Sequence, residues 1–514
     1  MNDVDARFDP ITDDLVDKVP DVSTSLMRYS LSLWRALDRE RLEFFDPFRV
    51  AAVIAFRAAQ QHPPTPQLWG QLLQNNFALI SKATWANQEQ LTKYLLDEGE
   101  KAWSAWYNSV FALPGETFPE FAHRQAEVME AVANFSEQIE KVADDFGFHF
   151  RWSNYKLVHE TDAFLMYQVL PIRSGARVRD DLKPVLLVPP YMLGEDILAF
   201  LPGEDKSYAH AFANEGIPTY VRVVKDIWET EAVQTMTPED DCLQTHQLCA
   251  KLVERHGQKV TLNGTCQGGY VCLMNLLSGQ FTDVCDTLIS NVTPVDGTYS
   301  PAIAGQPQVS QDLSLSELPN GNFVANGYLL SLGMRLVAIE SETPLIQVLS
   351  QARLQEKTNL HPGKTTAALF RWLRKERVHL PPAIAQMSTI SFQQPIGDDG
   401  ALPVALFGKP LRIGDLATLG VRWYQDYALK DGLVTPPCAT AGNRFLADTG
   451  VLESVPLPTG HVGILTSPYA EKWRVNGRFK GADGVTYRGP VTFQLEISNG
   501  TKMGAEILPA SGNG

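Results

Sequence analysis

The chain has 514 residues, 44% of them hydrophobic, and sets 44 Lys and Arg against 59 Asp and Glu for a formal charge of −15. That length exceeds a single compact core, so two domains are expected. The acidic balance argues against general nucleic-acid binding, because no excess of cations is available to displace counterions from phosphate. No apolar run approaches the ~20 residues that a membrane-spanning helix needs. Met1-Asn2-Asp3-Val4-Asp5 has no apolar segment, so no secretory signal is expected. Six cysteines do not make a disulfide framework, which fits a cytoplasmic protein.

Residues 1–145 read as an all-helical domain. Ser23 to Phe45 carries Leu26, Leu33, Trp34, Leu37 and Phe44 near helical spacing. Asp46-Pro47 opens a second helix, which His62-Pro63-Pro64 ends near Gln61. A long helical stretch follows from about Gln67 to Phe111, with an interruption expected near Thr84, and Pro119 to Val142 is a further helix. The aromatic residues here, Trp69, Phe77, Trp85, Tyr94, Trp103 and Trp106, admit two readings: a bundle core or bracket, or a surface for a partner or hydrophobic particle.

From residue 146 strands alternate with helices, as in α/β folds. Tyr155–His159 and Ala163–Leu170 read as a hairpin, followed by strands Pro184–Val188 and Thr219–Val224 with helix Tyr208–Asn214 between them. Thr237-Pro238 opens the helix Glu239–Arg255. Residues 298–400 break the alternation with short apolar helices, including Tyr328–Ile339 and Thr365–Arg374, and read as a cap inserted between core segments 146–297 and 401–480. The second core segment holds a strand at Leu419–Tyr424, a helix from about Cys438 to Asp448 and a last strand at Glu453–Leu457. Residues 481–514 read as a polar tail or an edge hairpin.

The chemistry centres on Gly264-Thr265-Cys266-Gln267-Gly268. A short apolar strand precedes it and an apolar helix, Tyr270 to Leu277, follows. This strand–turn–helix pattern is the nucleophile elbow of α/β-hydrolases with Cys in place of Ser. The glycines give a strained turn room to bend, and the helix aims its first N–H groups at the sulfur. Asp431 and then His461 follow, each just past an expected strand, in the chain order nucleophile, acid, base. His461 is the expected base to Cys266, and Asp431 the group that orients its ring. The backbone N–H of Gln267, with that of Tyr191 or Met192, is expected to hold an oxyanion. Cys suits thioester exchange, since thiolate attack on a thioester is nearly balanced in leaving-group strength.

Other motifs carry less. His361-Pro362-Gly363-Lys364-Thr365-Thr366 lacks the first glycine of a phosphate loop, Thr358 standing there. Cys242, Cys249, Cys272, Cys285 and Cys438 lack metal-ligand spacing and read as buried thiols. His246 and His256 read as solvated residues of a surface helix. Arg371, Arg374, Lys375 and Arg377 read as a wet helix face or as a site for the phosphates of a substrate.

Leu187-Val188-Pro189-Pro190-Tyr191, Gly264-Thr265-Cys266-Gln267-Gly268-Gly269, Thr293-Pro294-Val295-Asp296, Lys430-Asp431-Gly432-Leu433-Val434 and Gly460-His461-Val462-Gly463-Ile464 together resemble the polyhydroxyalkanoate synthases. The resemblance covers roughly residues 150–480. It implies an α/β-hydrolase fold with an inserted cap, and polymerisation of 3-hydroxyacyl-CoA on Cys266 with release of CoA, the thioester being substrate and no cofactor being required. It further implies Asp431 helping to activate the incoming 3-hydroxyl, a homodimer, and a helical partner subunit or a polyester granule surface as partner. The family carries His directly after the Asp, where Gly432 stands, and a Trp-Arg-Asn or Asp-Trp-Gly type motif where Val224-Lys225-Asp226-Ile227-Trp228 stands. The chain also resembles intracellular depolymerases of the same polyesters, which use Cys, Asp and His. Hydrolysis of the same pool, or a non-catalytic granule-associated role, are therefore the competing readings.

Overall fold

The structure, a computed structural model, describes residues 19–36, 38, 66–300, 315–327, 330, 364–466, 479–480 and 485–500. Expectations for residues 46–61, for 361–363 and, Leu330 apart, for 328–339 lie outside them. Two compact units divide the chain: Met1–Ala143 with Arg335–Arg371, and Asp144–Met334 with Trp372–Gly514.

The first unit is helical in its described residues: α1 (residues 19–36), α2 (Pro66–Phe111), α3 (Phe118–Ala133) and α4 (Phe135–Lys141). α2 runs unbroken through Thr84. A single β-branched residue costs only a few tenths of a kcal/mol in a helix, and no Gly or Pro lies between Gly70 and Gly99. The expected helix from Pro119 breaks instead at Asn134, whose carbonyl accepts from the amides of Glu137 and Gln138. Tyr94 is buried and donates to Gln125 Oε1 at 2.6 Å. Trp34, Phe77, Trp85 and Trp103 are exposed, so these four form no core of this unit.

The second unit is built on an eight-stranded sheet. Its strands are β1 (Tyr155–Glu160), β2 (Phe164–Val169), β3 (Val185–Val188), β4 (Thr219–Val224), β5 (Val260–Thr265), β6 (Cys285–Asn291), β7 (Arg422–Ala428) and β8 (Leu452–Leu457). Their spatial order is β1-β2-β4-β3-β5-β6-β7-β8. β1 and β2 are antiparallel, and β2 meets β4 antiparallel. From β4 onward every pairing is parallel. β3 and β5 are buried at every position, as expected of parallel strands covered on both faces. Helices α5 (Tyr208–Asn214), α6 (Pro238–His256) and α7 (Gln267–Leu277) connect them. α6 starts with a capping box, Thr237 with Asp240. This is the α/β-hydrolase fold, with a long insertion between β6 and β7 and a helical region ahead of it.

The described part of the insertion includes helix Lys364–Lys375 and α8 (Pro382–Gln393). Two features beyond it depart from the sequence reading. β7 begins at Arg422, because Leu416 and Leu419 belong to a helical turn that Gly420, at φ +70°, ends. Just before it stands an unexpected hairpin, Ala401–Leu406 with Lys409–Arg412, turning on Phe407 and Gly408 at φ 53° and 68°.

Residues 490–498, read above as part of a polar tail, form the buried helix α9 (Pro490–Ser498). Phe493 and Ile497 pack on Ile289 of β6 and Tyr424 of β7. Ahead of it, Phe479–Lys480 pairs with Thr486–Tyr487 as a short hairpin. Among the described residues no helix is long and apolar enough to cross a membrane.

Candidate active site

Cys266 sits between β5 and α7 with φ 51° and ψ −121°, a conformation that costs a non-glycine residue about 1–3 kcal/mol. The surrounding glycines are required by contact. A Cβ on Gly264 would stand 2.5 Å from the Gly268 carbonyl oxygen and the Gly269 Cα, and one on Gly268 would stand 2.2 Å from the Val188 carbonyl oxygen. The turn can therefore close only on glycine. The Cys266 amide donates to the Asn291 carbonyl at 2.8 Å, which ties the elbow to the end of β6. Cys266 keeps partial exposure, whereas Cys242, Cys249, Cys272, Cys285 and Cys438 are buried.

Asp431 follows β7 and His461 follows β8, and the loops bearing them are joined by the Lys430 amide donating to the Thr459 carbonyl at 2.9 Å. The Asp431 side chain is sealed from solvent. Its Oδ1 accepts from the amides of Leu433 and Val434 at 2.8 Å each, and its Oδ2 lies 2.7 Å from His461 Nδ1. The Cys266 sulfur is close enough to act on the same imidazole electrostatically. Burial alone would lower the pKa of His461, but the Asp431 carboxylate and the Cys266 sulfur outweigh it, and the value is pushed up to about 10. Gly463 packs closely on this loop, since a Cβ there would meet Thr459 Oγ1 at 1.8 Å and require that side chain to turn.

Of the two loop amides considered for an oxyanion, that of Tyr191 is already engaged: it donates to Gln267 Oε1 at 3.1 Å. The amides of Met192 and Gln267 have no acceptor among the described residues. The Gln267 side chain, whose part the sequence does not announce, also donates through Nε2 to Ser388 on α8. It thereby links the loop after β3, the elbow and α8.

A cavity of about 90 Å³ opens on Cys266 and Gln267, walled by Met192 and Leu193 on one side and by Leu380, Ala385, Ser388, Thr389 and Phe392 on the other. It holds about three waters, less than the ~300 Å³ of an ordinary ligand pocket. α8 is seated by close contact, because a Cβ on Gly297 would stand 2.5 Å from the Phe392 Cα. Asp296 accepts from the Ile396 amide at 3.0 Å just beyond that helix. The wall has no sequence signature, since α8 is an apolar helix without a motif.

Other singled-out residues lie apart from this centre. His246 pairs with Asp283 at 3.1 Å. The expectation for His256 is corrected: its side chain is 1% exposed and its Nε2 lies 2.8 Å from the Tyr220 hydroxyl. Arg377 donates to the carbonyls of Trp372, Leu373 and Glu376, closing the end of its own helix.

No family model and no curated protein matches the chain. Solved structures do. Naproxen esterase (carboxylesterase NP) from Bacillus subtilis is 11% identical over 67% of this chain and 97% of its own, with a TM-score of 0.35. Proline iminopeptidase of Mycobacterium smegmatis is 12% identical over 67% and 99%, with a TM-score of 0.35. Est1E from Butyrivibrio proteoclasticus is 8% identical over 68% and 100%, with a TM-score of 0.33. At these identities and scores the likenesses bear on neither activity nor substrate; the α/β-hydrolase fold rests on the strand order and the elbow.

Proposed function

We propose that the chain is an acyltransferase of the polyhydroxyalkanoate-synthase type, which takes the acyl group of a 3-hydroxyacyl-CoA onto Cys266. One observation carries this: His461 Nδ1 lies 2.7 Å from Asp431 Oδ2, and the Cys266 sulfur is close enough to act on the same imidazole electrostatically. An imidazole with its pKa near 10 keeps a proton at neutral pH. The thiolate is the attacking form of a cysteine, and a protonated imidazole beside the sulfur favours that form. The thioester carbonyl carbon bonds to Cys266, its oxygen taking charge that the Gln267 and Met192 amides meet. The bond to the CoA sulfur then breaks, and CoA leaves as a thiol with the His461 proton. The 3-hydroxyl of a second substrate next attacks the acyl carbon and gives its proton to His461; the carbon–sulfur bond to Cys266 breaks, the sulfur leaves as thiolate beside the imidazolium, and the acyl group is joined by an ester to the second unit, which still carries its CoA. A homodimer, a helical partner subunit or a polyester granule surface, and a cytoplasmic or granule-associated setting, belong to this proposal through the sequence resemblance alone.

Hydrolysis of the same thioester is the second reading, and Gly432 favours it. Where the synthases carry His, a Cβ here would meet no atom within 4 Å, leaving open space beside Asp431. Incubation with 3-hydroxybutyryl-CoA, following free CoA and turbidity, separates the two. CoA with insoluble polymer supports transfer, CoA with monomeric acid supports hydrolysis, and no CoA from substrates of several chain lengths sinks both.

A further inference from the structure

Asp426 lies in β7, on the strand that leads to Asp431, and takes no part in the chemistry above. It is 0% exposed, and neither carboxyl oxygen has a hydrogen-bond donor. Asn291 stands opposite it in register on β6, is also 0% exposed, and has an Oδ1 that likewise lacks a donor. Paired residues of adjacent parallel strands project from the same face of the sheet. Asn291 is fixed on that face by Nδ2, which donates to Asn263 Oδ1 at 2.8 Å and to the Gly264 carbonyl and Thr265 Oγ1 at 3.3 Å.

An ionised carboxylate beside an amide oxygen, both out of water, is two acceptors with no hydrogen between them, and strongly unfavourable. Turning the Asn291 amide over would offer Asp426 a donor but set its oxygen against Asn263 Oδ1 and the Gly264 carbonyl, keeping only the Thr265 hydroxyl as a partner. A single hydrogen satisfies both groups, since a neutral carboxylic acid is a donor. Burial holds the Asp426 carboxyl well above the usual carboxylate range, in the same sense.

The site has a bearing on the elbow. The Asn291 carbonyl receives the Cys266 amide, and its side chain holds the Gly264 carbonyl two residues earlier. The Asp426 carbonyl receives the amide of Val292, which is held at φ 42°, a conformation a β-branched residue rarely adopts. We propose that Asp426 carries a buried proton, donates it to Asn291 Oδ1, and so positions the Cys266 elbow. Asp426 is thus a positioning residue, and this role rests on the reading of Cys266 as the nucleophile.

Two measurements on the full chain test it. The infrared difference spectrum of wild type minus Asp426→Asn at neutral pH is expected to show the carbonyl band of a carboxylic acid. A difference showing only an ionised carboxylate overturns the proposal, whatever the activity. Iodoacetamide alkylation of Cys266, followed by peptide mass spectrometry, reads the elbow without any substrate. Asp426→Asn supplies an N–H donor in the same place and is expected to react within about twofold of wild type, whereas Asp426→Leu reacts about tenfold more slowly. Wild-type reactivity in Asp426→Leu overturns the positioning role. A tenfold slowing of the Asn variant overturns the donated proton, and does so even if the Leu variant does not fold. A wild-type Cys266 that resists alkylation counts instead against the proposed function, and leaves the infrared result standing.

Discussion

His461 Nδ1 lies 2.7 Å from Asp431 Oδ2, while the other carboxyl oxygen is occupied by the amides of Leu433 and Val434 at 2.8 Å each. The carboxylate is thus oriented before the imidazole meets it. In Asp431→Asn, Oδ1 keeps the two amides and an NH2 group then faces Nδ1. The ring is driven to the tautomer that carries its hydrogen on Nε2, toward Cys266, where it accepts no proton. CoA release is expected to fall about a hundred- to ten-thousandfold with little change in KM. Activity within tenfold of wild type removes Asp431 from the chemistry.

The raised pKa of His461 has a sign in stability. The folded value, about 10, stands above the ordinary 6.5, so the folded state binds the proton more tightly. The resulting stabilisation is fully present below pH 6.5 and is lost as pH rises toward about 10. The difference in urea unfolding free energy between wild type and His461→Gln is expected to shrink across that window. A difference that widens with pH contradicts the assignment. The alkaline limb of CoA release belongs near the same upper value, and Asp431→Asn moves it to lower pH.

Gln267 spends its side chain on the Tyr191 amide and on Ser388. Gln267→Leu leaves the Tyr191 N–H buried and unpaired, and loosens the loop whose next amide is that of Met192. A loss of about tenfold in kcat is expected, since a buried orphan donor costs ~1–3 kcal/mol. Gln267→Glu keeps an acceptor for Tyr191 and is expected to recover most of the loss. Equal damage from both substitutions places the weight on Ser388 instead.

What was legible in the sequence was what local chemistry dictates. The elbow can be read because a turn as tight as that at Cys266 admits only Gly264 and Gly268 at its flanks. Asp431 and His461 can be read as candidates because each closely follows a strand whose apolar run is clear. The wall formed by Ala385, Ser388 and Phe392 carries no such mark, since an apolar helix looks alike over an active site or in any core. The hairpin turn at Phe407-Gly408 was hidden because Phe occupies a position of positive φ where Asn or Gly is the usual signal. His256 read as solvated because its position on α6 does not reveal the Tyr220 hydroxyl of the neighbouring strand.

The strain at Cys266 separates stability from chemistry. Cys266→Ala keeps the unfavourable φ of 51° and removes the sulfur, so CoA release is expected to vanish with stability nearly unchanged. Cys266→Gly also removes the sulfur, but glycine adopts this backbone freely. Against the alanine variant it is expected to gain about 1 kcal/mol, the relief of strain exceeding the added entropy of the unfolded glycine. Urea unfolding of the pair measures the difference. A glycine variant less stable than the alanine variant shows that the turn stores no strain.

Helix α9 turns an expected tail into part of the core, and its removal tests that role. Phe493 is 0% exposed and packs with Ile497 on Ile289 and Tyr424, so it fills the underside of the two strands that end at Asn291 and lead to Asp431. The helix is also pinned to the segment that leads into β3: Gln494 Nε2 donates to the Lys183 carbonyl at 2.8 Å, and Ser498 Oγ accepts from the Lys183 amide at 3.2 Å. Phe493→Ala is expected to cost about 3–5 kcal/mol, because the aromatic volume is lost and a cavity is left between strand and helix. Phe493→Leu, which refills most of that space, is expected to recover the larger part. Denaturant unfolding at neutral pH reads both. An alanine variant as stable as wild type means that α9 rests on the sheet without supporting it, and that the strands bearing the site hold their places from the other face alone.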